Sequence, residues 1–313
     1  MIEDTEIKAE VSPFAMRENE VKVFDGVDKY VSVNQIVHKT NLGHINEIHF
    51  KILEIINKFE FITSRQIFQL LQYMNIEMKT QDKLNDKLEQ LLKIKTVTRY
   101  YFDSEDGKGI YRLYCLEKMG KYLLNSRGIE TKWQPTDNTK PVAMIKKRLA
   151  GNQILLAYLR KVNAITGEYQ VKPEINAKTN GKKFKATGGS IELSKNSKTI
   201  EFVFEIIRRE DEWEKKLVER FRLYQDFYDT FNAGDSGFKK MPQLIFVCED
   251  QKHMAETFKE IMKSEIEIPQ IKLYFSTDLE QNKETLSNSL TEFKLNEETK
   301  KYKAEILELK LLD

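Results

Sequence analysis

The stretch TIEFVFEIIRRED, Thr199 to Asp211, sets a carboxylate, Glu205, inside the apolar run Ile200, Phe202, Val203, Phe204, Ile206 and Ile207. An acid in the middle of a strand-like run must be hydrogen-bonded, paired or bound to a metal, because burying it alone is costly. Just upstream, ATGGSIELS carries a second acid, Glu192, two residues beyond Ser190. If Glu192 shared the face of Glu205, the two carboxylates would form part of a divalent-cation site. The other reading is a structural carboxylate paired with Arg208, Arg209 or a residue of the helix that follows, and it is the one favoured here. Zinc is excluded. Two cysteines (Cys115, Cys248) and four histidines (His38, His44, His49, His253) provide no ligand pair at CxxC or HxxxH spacing.

A second set of residues suits phosphate and base contacts. The chain of 313 residues has a net charge of only +2, but lysine is concentrated at 79–95, 140–148 and 178–185. Lys79, Thr80 and Gln81 stand at the start of an expected helix, where backbone amides favour phosphate. Lys83 and Lys87 follow on it, and Gln81 and Asn85, four apart, present amides suited to adenine. Asp82, Asp86 and Glu89 interrupt that face. Ser64, Arg65 and Gln66 open the preceding helix, a usual place for contacts to the nucleic-acid backbone. Arg99, Lys108 and Arg112 lie on an expected hairpin within reach of phosphate or minor groove. Lys182, Lys183 and Lys185 flank Asn180-Gly181 at a basic hairpin tip. For each set the plain alternative is a solvated surface.

The elements that must hold these residues follow from periodicity. Ile48, Ile52, Ile55, Ile56 and Phe59 have helical spacing; Ile67, Leu70 and Leu71 follow a cap at Thr63 or Ser64; Leu84, Leu88, Leu91 and Leu92 mark a third helix. TVTRYYFDSEDGKGIYRLYCL is a β-hairpin, and EKMGKYLLNSRG a closing helix. Three helices and a hairpin in that order predict a winged helix-turn-helix over 44–128. Residues 1–43 form an N-terminal arm in which EVKVFDG and KYVSVNQIV are short strands, and the two prolines of 129–142 mark a linker. The segment 143–290 runs helix, hairpin strands, acidic strand, long amphipathic helix, strand, helix and a final strand, with the last two strands parallel. The charged stretch 291–313 is a tail.

Composition sets the outer limits. With 32% charged and 40% hydrophobic residues the chain is folded rather than disordered, and it is long enough for two cores. The longest apolar runs, such as QLIFVC, are far too short to cross a bilayer, so no membrane partner is expected. The start lacks a basic patch followed by an apolar core, and the two isolated cysteines suit a reducing compartment; the expected location is the cytoplasm.

The order of elements in the second half resembles the restriction-endonuclease-like fold, an α/β domain with a mixed sheet. That resemblance implies an Asp on the second strand and an acid-x-Lys on the third, holding a divalent metal that polarises phosphate and activates water. Glu205 falls at the acidic position, but Gly188-Gly189-Ser190 stands where Pro-Asp is implied, and Ile207 where the lysine is implied. The expectation is therefore a degenerate, non-catalytic nuclease-like domain with no cofactor. Mg²⁺ enters only in the alternative, a DNA endonuclease or nickase using Glu205 and Glu192.

The two halves together resemble the replication-relaxation family. The resemblance rests on KILEIINKFEFITSRQIFQLL, GIYRLYCLEKMGKYLL and IELSKNSKTIEFVFEIIRREDEWEKKLVERFRLYQDFY, with Lys216, Leu217, Tyr224 and Tyr228 in the last, over residues 44–280. It implies a sequence-specific binder of double-stranded DNA from a plasmid or mobile element, acting in replication, relaxation, transfer or transcriptional control. A homodimer is expected, with the aromatic helix 213–231 as a candidate interface, and replication or transfer proteins are further candidate partners.

Overall fold

The structure, a computed structural model, describes residues 12–105, 111–161, 169–177, 182–195, 198–233, 238–283, 285–297 and 301–309. Strand β1 (Val21–Phe24) is followed by helix α1 (Val33–Asn41). The expected strand KYVSVNQIV is thus a helix. Its valines favour a strand locally, but Ser32 and Gln35 form a capping box, each side chain accepting from the other's backbone amide. Helix α2 (Glu47–Phe59), the short strand β2 (Ile62–Thr63), α3 (Ser64–Tyr73) and α4 (Gln81–Lys93) come next. Their apolar stripes, including Ile52, Leu53, Ile56, Ile67, Leu70, Leu84 and Leu88, are completely buried. Thr63 and Thr80 cap α3 and α4 through their hydroxyls.

Strands β3 (Val97–Asp103) and β4 (Arg112–Leu116) pair antiparallel, and α5 (Lys118–Ser126) packs on α2. The first sheet runs β1-β3-β4-β2. The segment before residue 44 is therefore built into this unit: Val21 pairs with Asp103 and Phe24 with Tyr100.

The expected linker is ordered as well. Trp133 donates its indole N–H to Asn138, whose amide donates to the Leu116 carbonyl at 3.1 Å, fixing 129–142 against the hairpin. Helix α6 (Val142–Lys161) is buried nearly all round, as befits a helix enclosed by protein on both sides. On one side Asn152 donates to the Phe61 carbonyl at 2.7 Å; on the other Tyr158 meets Phe204, ring centres 5.3 Å apart. One hydrophobic cluster runs from α2 through α6 to the second sheet.

That second sheet is mixed. It has the order β13-β12-β11-β10-β9-β8-β5, made of β5 (Tyr169–Gln170), β8 (Gly189–Lys195), β9 (Lys198–Ile206), β10 (Gln243–Cys248), β11 (Leu273–Thr277), β12 (Leu290–Asn296) and β13 (Lys301–Leu307). Strands β9, β10 and β11 are parallel, the other pairs antiparallel, so the architecture is mixed α/β. Strands β6 (Glu174–Ala177) and β7 (Lys182–Lys185) form a separate pair. Helices α7 (Trp213–Asp229) and α8 (Gln251–Lys263) connect the parallel strands, and the one-turn α9 (Asp278–Gln281) follows β11.

Two expectations are corrected here. The stretch after 290 is no tail, since β12 and β13 extend the sheet beyond the strand expected to be last. Leu290 is fully buried and Phe293 stacks on Phe258 at 4.1 Å, apolar anchors hidden among charges. The aromatic stripe of α7 is no dimer interface either, because Phe221, Tyr224, Phe227 and Tyr228 are buried in the second core.

Charged groups gather at the carboxyl ends of the parallel strands. Arg208, just past β9, donates to both oxygens of Asp278, just past β11, at 3.0 and 2.9 Å, and both side chains are fully buried. Ser12 also donates to that carboxylate. Glu249, just past β10, accepts from the Met16 amide at 3.0 Å and the Arg209 amide at 3.1 Å. Lys146 of α6, likewise buried, joins Glu20 and the Ala15 carbonyl. Beside them His253 is completely buried; that burial, together with Arg209 and Arg208, lowers its pKa to about 3.

Removing one partner of a buried pair leaves a charge uncompensated, so Asp278→Ala lowers the urea-unfolding free energy by about 3–5 kcal/mol. The histidine gives a pH signature. Above its ordinary value of 6.5 the ring is neutral in both states; below it the unfolded chain binds the proton first. Stability therefore falls as pH drops from 6.5 toward about 3, by up to about 1.4 kcal/mol per pH unit. His49, lowered by burial too, adds in the same direction. Urea unfolding across that range, with His253→Gln flattening the slope, checks this.

Candidate nucleic-acid interface

Glu205 lies on the face of β9 that carries Glu201 and Val203, since alternate residues share a face. Helix α7 covers it with Arg220 and Tyr224, four residues apart and hence on one helix face. Arg220 donates to the two carboxylate oxygens at 3.0 and 2.6 Å, Tyr224 donates its hydroxyl at 2.8 Å, and the Thr187 amide lies at 3.4 Å. The guanidinium also donates to the Lys185 carbonyl and sits 4.8 Å from the Phe184 ring centre. Burial, reinforced by the Glu205 carboxylate, pushes the Tyr224 hydroxyl well above the usual phenol range. Burial works against the Arg220 charge, but Glu205 raises its pKa above the ordinary value.

A divalent metal does not fit these residues. Glu192 does share the face, because it pairs with Glu201 in the β8–β9 register. Glu201 is four residues from Glu205, however, which is roughly 13 Å along a strand. Glu192 is instead held by Lys239 at 3.0 Å. Ile207, in the place of the lysine, is buried, and its amide donates to the Val247 carbonyl. Gly188, beside Glu205, cannot carry an aspartate: a Cβ there would lie 2.7 Å from Phe204 Cβ and Ile206 Cδ1. Gly151 of α6 presses on the same point, its own Cβ position only 2.7 Å from Gly188 Cα. Among the described residues no three His, Cys, Asp or Glu side chains come together to hold a metal. Glu205 is a structural carboxylate. Its partner comes from the long helix, while Arg208 binds Asp278 and Arg209 binds Asp250 at 2.6 Å.

The other candidates divide around a cleft of about 1650 Å³. One wall is made by Ser64 and Arg65 at the start of α3, Gln81 and Asn85 of α4, and Arg99 and Arg112 of the hairpin. Helix α6, packed beside α3, lines it as well through Gln153, Arg160 and Lys161, with Asn282 beside them. Phe14, Tyr101 and Tyr111 line it too. Gln81 donates its amide to Asn85 at 3.1 Å, so the two expected base-reading residues are held as a unit. Arg65 and Arg112 are exposed, Arg112 also meeting Asp25 at 2.9 Å.

Other expected contacts have structural partners or lie away from this cleft. Gln66 is buried: it completes the capping box with Thr63, and its amide donates to the Leu149 carbonyl of α6 at 2.8 Å. Arg99 is almost enclosed and is held by Asp25 and Glu89. Thr80 caps α4, its hydroxyl accepting from the Lys83 amide. Lys79, Lys83 and Lys87 do not line the cleft; Lys87 instead borders a smaller hollow with Lys39, His44 and Lys93. Lys183, paired with Glu174 at 3.2 Å, and Lys185 stand on the separate β6–β7 pair, outside the cleft. Lys108 lies outside the described residues, as does the side chain of Lys182.

Arg160 and Lys161 were not among the expected contacts. Their signal was present: Gln153, Ala157, Arg160 and Lys161 recur at helical spacing on one face of α6.

Comparison with known proteins adds little. No family model and no curated protein matches the chain. The solved structure of restriction endonuclease FokI is similar at 12% identity and a TM-score of 0.25, covering 74% of this chain and 42% of that one. The chain thus spans less than half the length of that protein, and so slight a likeness carries no weight.

Removing the Glu205 carboxylate strands a mostly buried guanidinium and a buried hydroxyl. Glu205→Ala is expected to cost about 2–4 kcal/mol, reduced from the value for a wholly buried pair because Arg220 is partly exposed. Tyr224→Phe, which loses one hydrogen bond to a charged group, costs about 1.5–3 kcal/mol. Thermal and urea unfolding measure both.

Proposed function

We propose that the chain is a sequence-specific double-stranded DNA-binding protein. In this reading residues 44–128 are a winged helix-turn-helix, with α4 as the reading helix and the β3–β4 hairpin as the wing. The second half is a restriction-endonuclease-like domain without nuclease activity. The observation that carries the proposal is the common cleft wall built by Ser64, Arg65, Gln81, Asn85 and Arg112 from three separate elements. The start of α3 offers backbone amides and Arg65 to a phosphate. The joined amides of Gln81 and Asn85 offer donors and acceptors to base edges. Arg112 extends the contact along the hairpin, and Arg160 and Lys161 add positive charge from α6.

The absence of nuclease chemistry is supported by the enclosure of Glu205 between Arg220 and Tyr224. The family resemblance of the quoted segments supports a plasmid or mobile-element setting, in replication, relaxation, transfer or its transcriptional control. Among the described residues no helix is long and apolar enough to cross a membrane. Two buried free cysteines support the cytoplasm as the location.

Fragments of the DNA that encodes the protein, selected for binding and measured by fluorescence anisotropy, test the proposal. Binding falls steeply with salt; Arg65→Ala and Arg112→Ala weaken it for every sequence and each reduce the salt slope by about 1. Asn85→Ala relaxes the preference among sequences by about 1–3 kcal/mol at one position. Duplex binding that is absent, or indifferent to both arginines, overturns the proposal. With supercoiled plasmid and Mg²⁺ or Mn²⁺ the expected outcome is intact plasmid; cleavage lost in Glu205→Ala would establish a nickase instead.

A further inference from the structure

Strand β13 stands at the end of the second sheet, and among the described residues no strand pairs with its outer edge. An open edge of this length is a template for another strand, and soluble proteins usually shorten it, bulge it, or place proline or charges, lysine above all, on it. On β13 the charges are of both signs, so a partner of the right register can match them. Strand β13 runs seven residues, KYKAEIL, without proline. One face is apolar: Tyr302 rests edge-on against Phe258, ring centres 4.9 Å apart, while Ala304 and Ile306 beyond it are exposed. Tyr302 is 45% exposed and Ile306 72%, on either side of Ala304. The neighbouring strand adds Leu295, 42% exposed, directly opposite Tyr302.

The other face carries charge in an unbalanced arrangement. Lys303 sits opposite Lys294, and Glu305 opposite Glu292, and like charges directly opposite are unfavourable. The diagonal pair Lys294–Glu305, at 2.8 Å, relieves part of this. Lys303 forms no salt bridge among the described residues.

We propose that β13 pairs with β13 of a second copy of this chain, antiparallel about a two-fold axis at Ala304. This register is singled out by charge. It places Lys303 opposite Glu305 of the second copy, twice over, and Tyr302 opposite the second copy's Ile306, so acid meets base on one face and apolar meets apolar on the other. Centring the pairing on Lys303 or on Glu305 would instead set identical charges face to face. Such self-complementarity is what an isologous contact requires. The outward N–H and C=O groups of both edges are satisfied, and the two mixed sheets become continuous. The inference stands independently of the DNA-binding proposal.

Sedimentation equilibrium of the full chain, over a wide concentration range, tests it. The wild type is expected to be a reversible dimer. Lys303→Glu and Glu305→Lys each act at two places in the assembly, so each weakens dimerisation by about tenfold. The double variant Lys303→Glu/Glu305→Lys restores it, because the swapped charges again face each other. Circular dichroism confirms that the variants fold; Lys303→Glu disturbs no salt bridge, so it remains informative if Glu305→Lys does not fold. A monomeric wild type overturns the proposal. So does a dimer indifferent to Lys303→Glu, which would use another surface, or a double variant that stays as weak as the single ones.

Discussion

Arg208 and Asp278 hold together parts of the chain that lie far apart in sequence. One follows β9 and the other follows β11, so their bidentate contact bridges the carboxyl ends of the parallel strands across β10. A fully buried guanidinium is tolerable only with its acid in place. The same carboxylate takes the Ser12 hydroxyl, and neighbouring Glu249 takes the Met16 amide, so the pair also fixes where the N-terminal segment runs. Open α/β sheets commonly bind ligands outside the carboxyl ends of their strands. Here that crevice is filled by the chain's own residues 12–20, and its charges are directed inward at structure.

Helix α6 carries this constraint to the candidate interface. Lys146 near its start is tied to Glu20, Asn152 in its middle to the Phe61 carbonyl, and Arg160 and Lys161 at its end face the cleft. Residues of α3, α4 and the hairpin thus line one cleft together with Arg160 and Lys161 of α6. The two halves share a core, and the cleft between them is a property of both.

Much of this was legible in the sequence, and the failures have physical causes. The apolar stripes of α2, α3 and α4, the hairpin, the buried strand around Glu205 and the amphipathic α7 all follow from local periodicity. That Glu205 needed a partner was legible too. Which partner was not, since Lys215, Lys216, Arg220 and Arg222 are equivalent until the packing of α7 selects the 220/224 face. Gln66 looked available because nothing local reveals that α6 will lie across it. Valines concealed the capped helix α1, and alternating charges concealed β12 and β13, whose apolar anchors are few and whose partners are distant in sequence.

The contact of Gly151 with Gly188 bears on how such a chain could change over time. An aspartate at 188 has no room while α6 passes so close, and α6 cannot move back without opening the shared core. Any side chain at 188 would therefore need coordinated changes in Phe204, Ile206 and Gly151 of α6. The close approach of these two glycines thus fixes the distance between α6 and the sheet, and with it the geometry of the shared core.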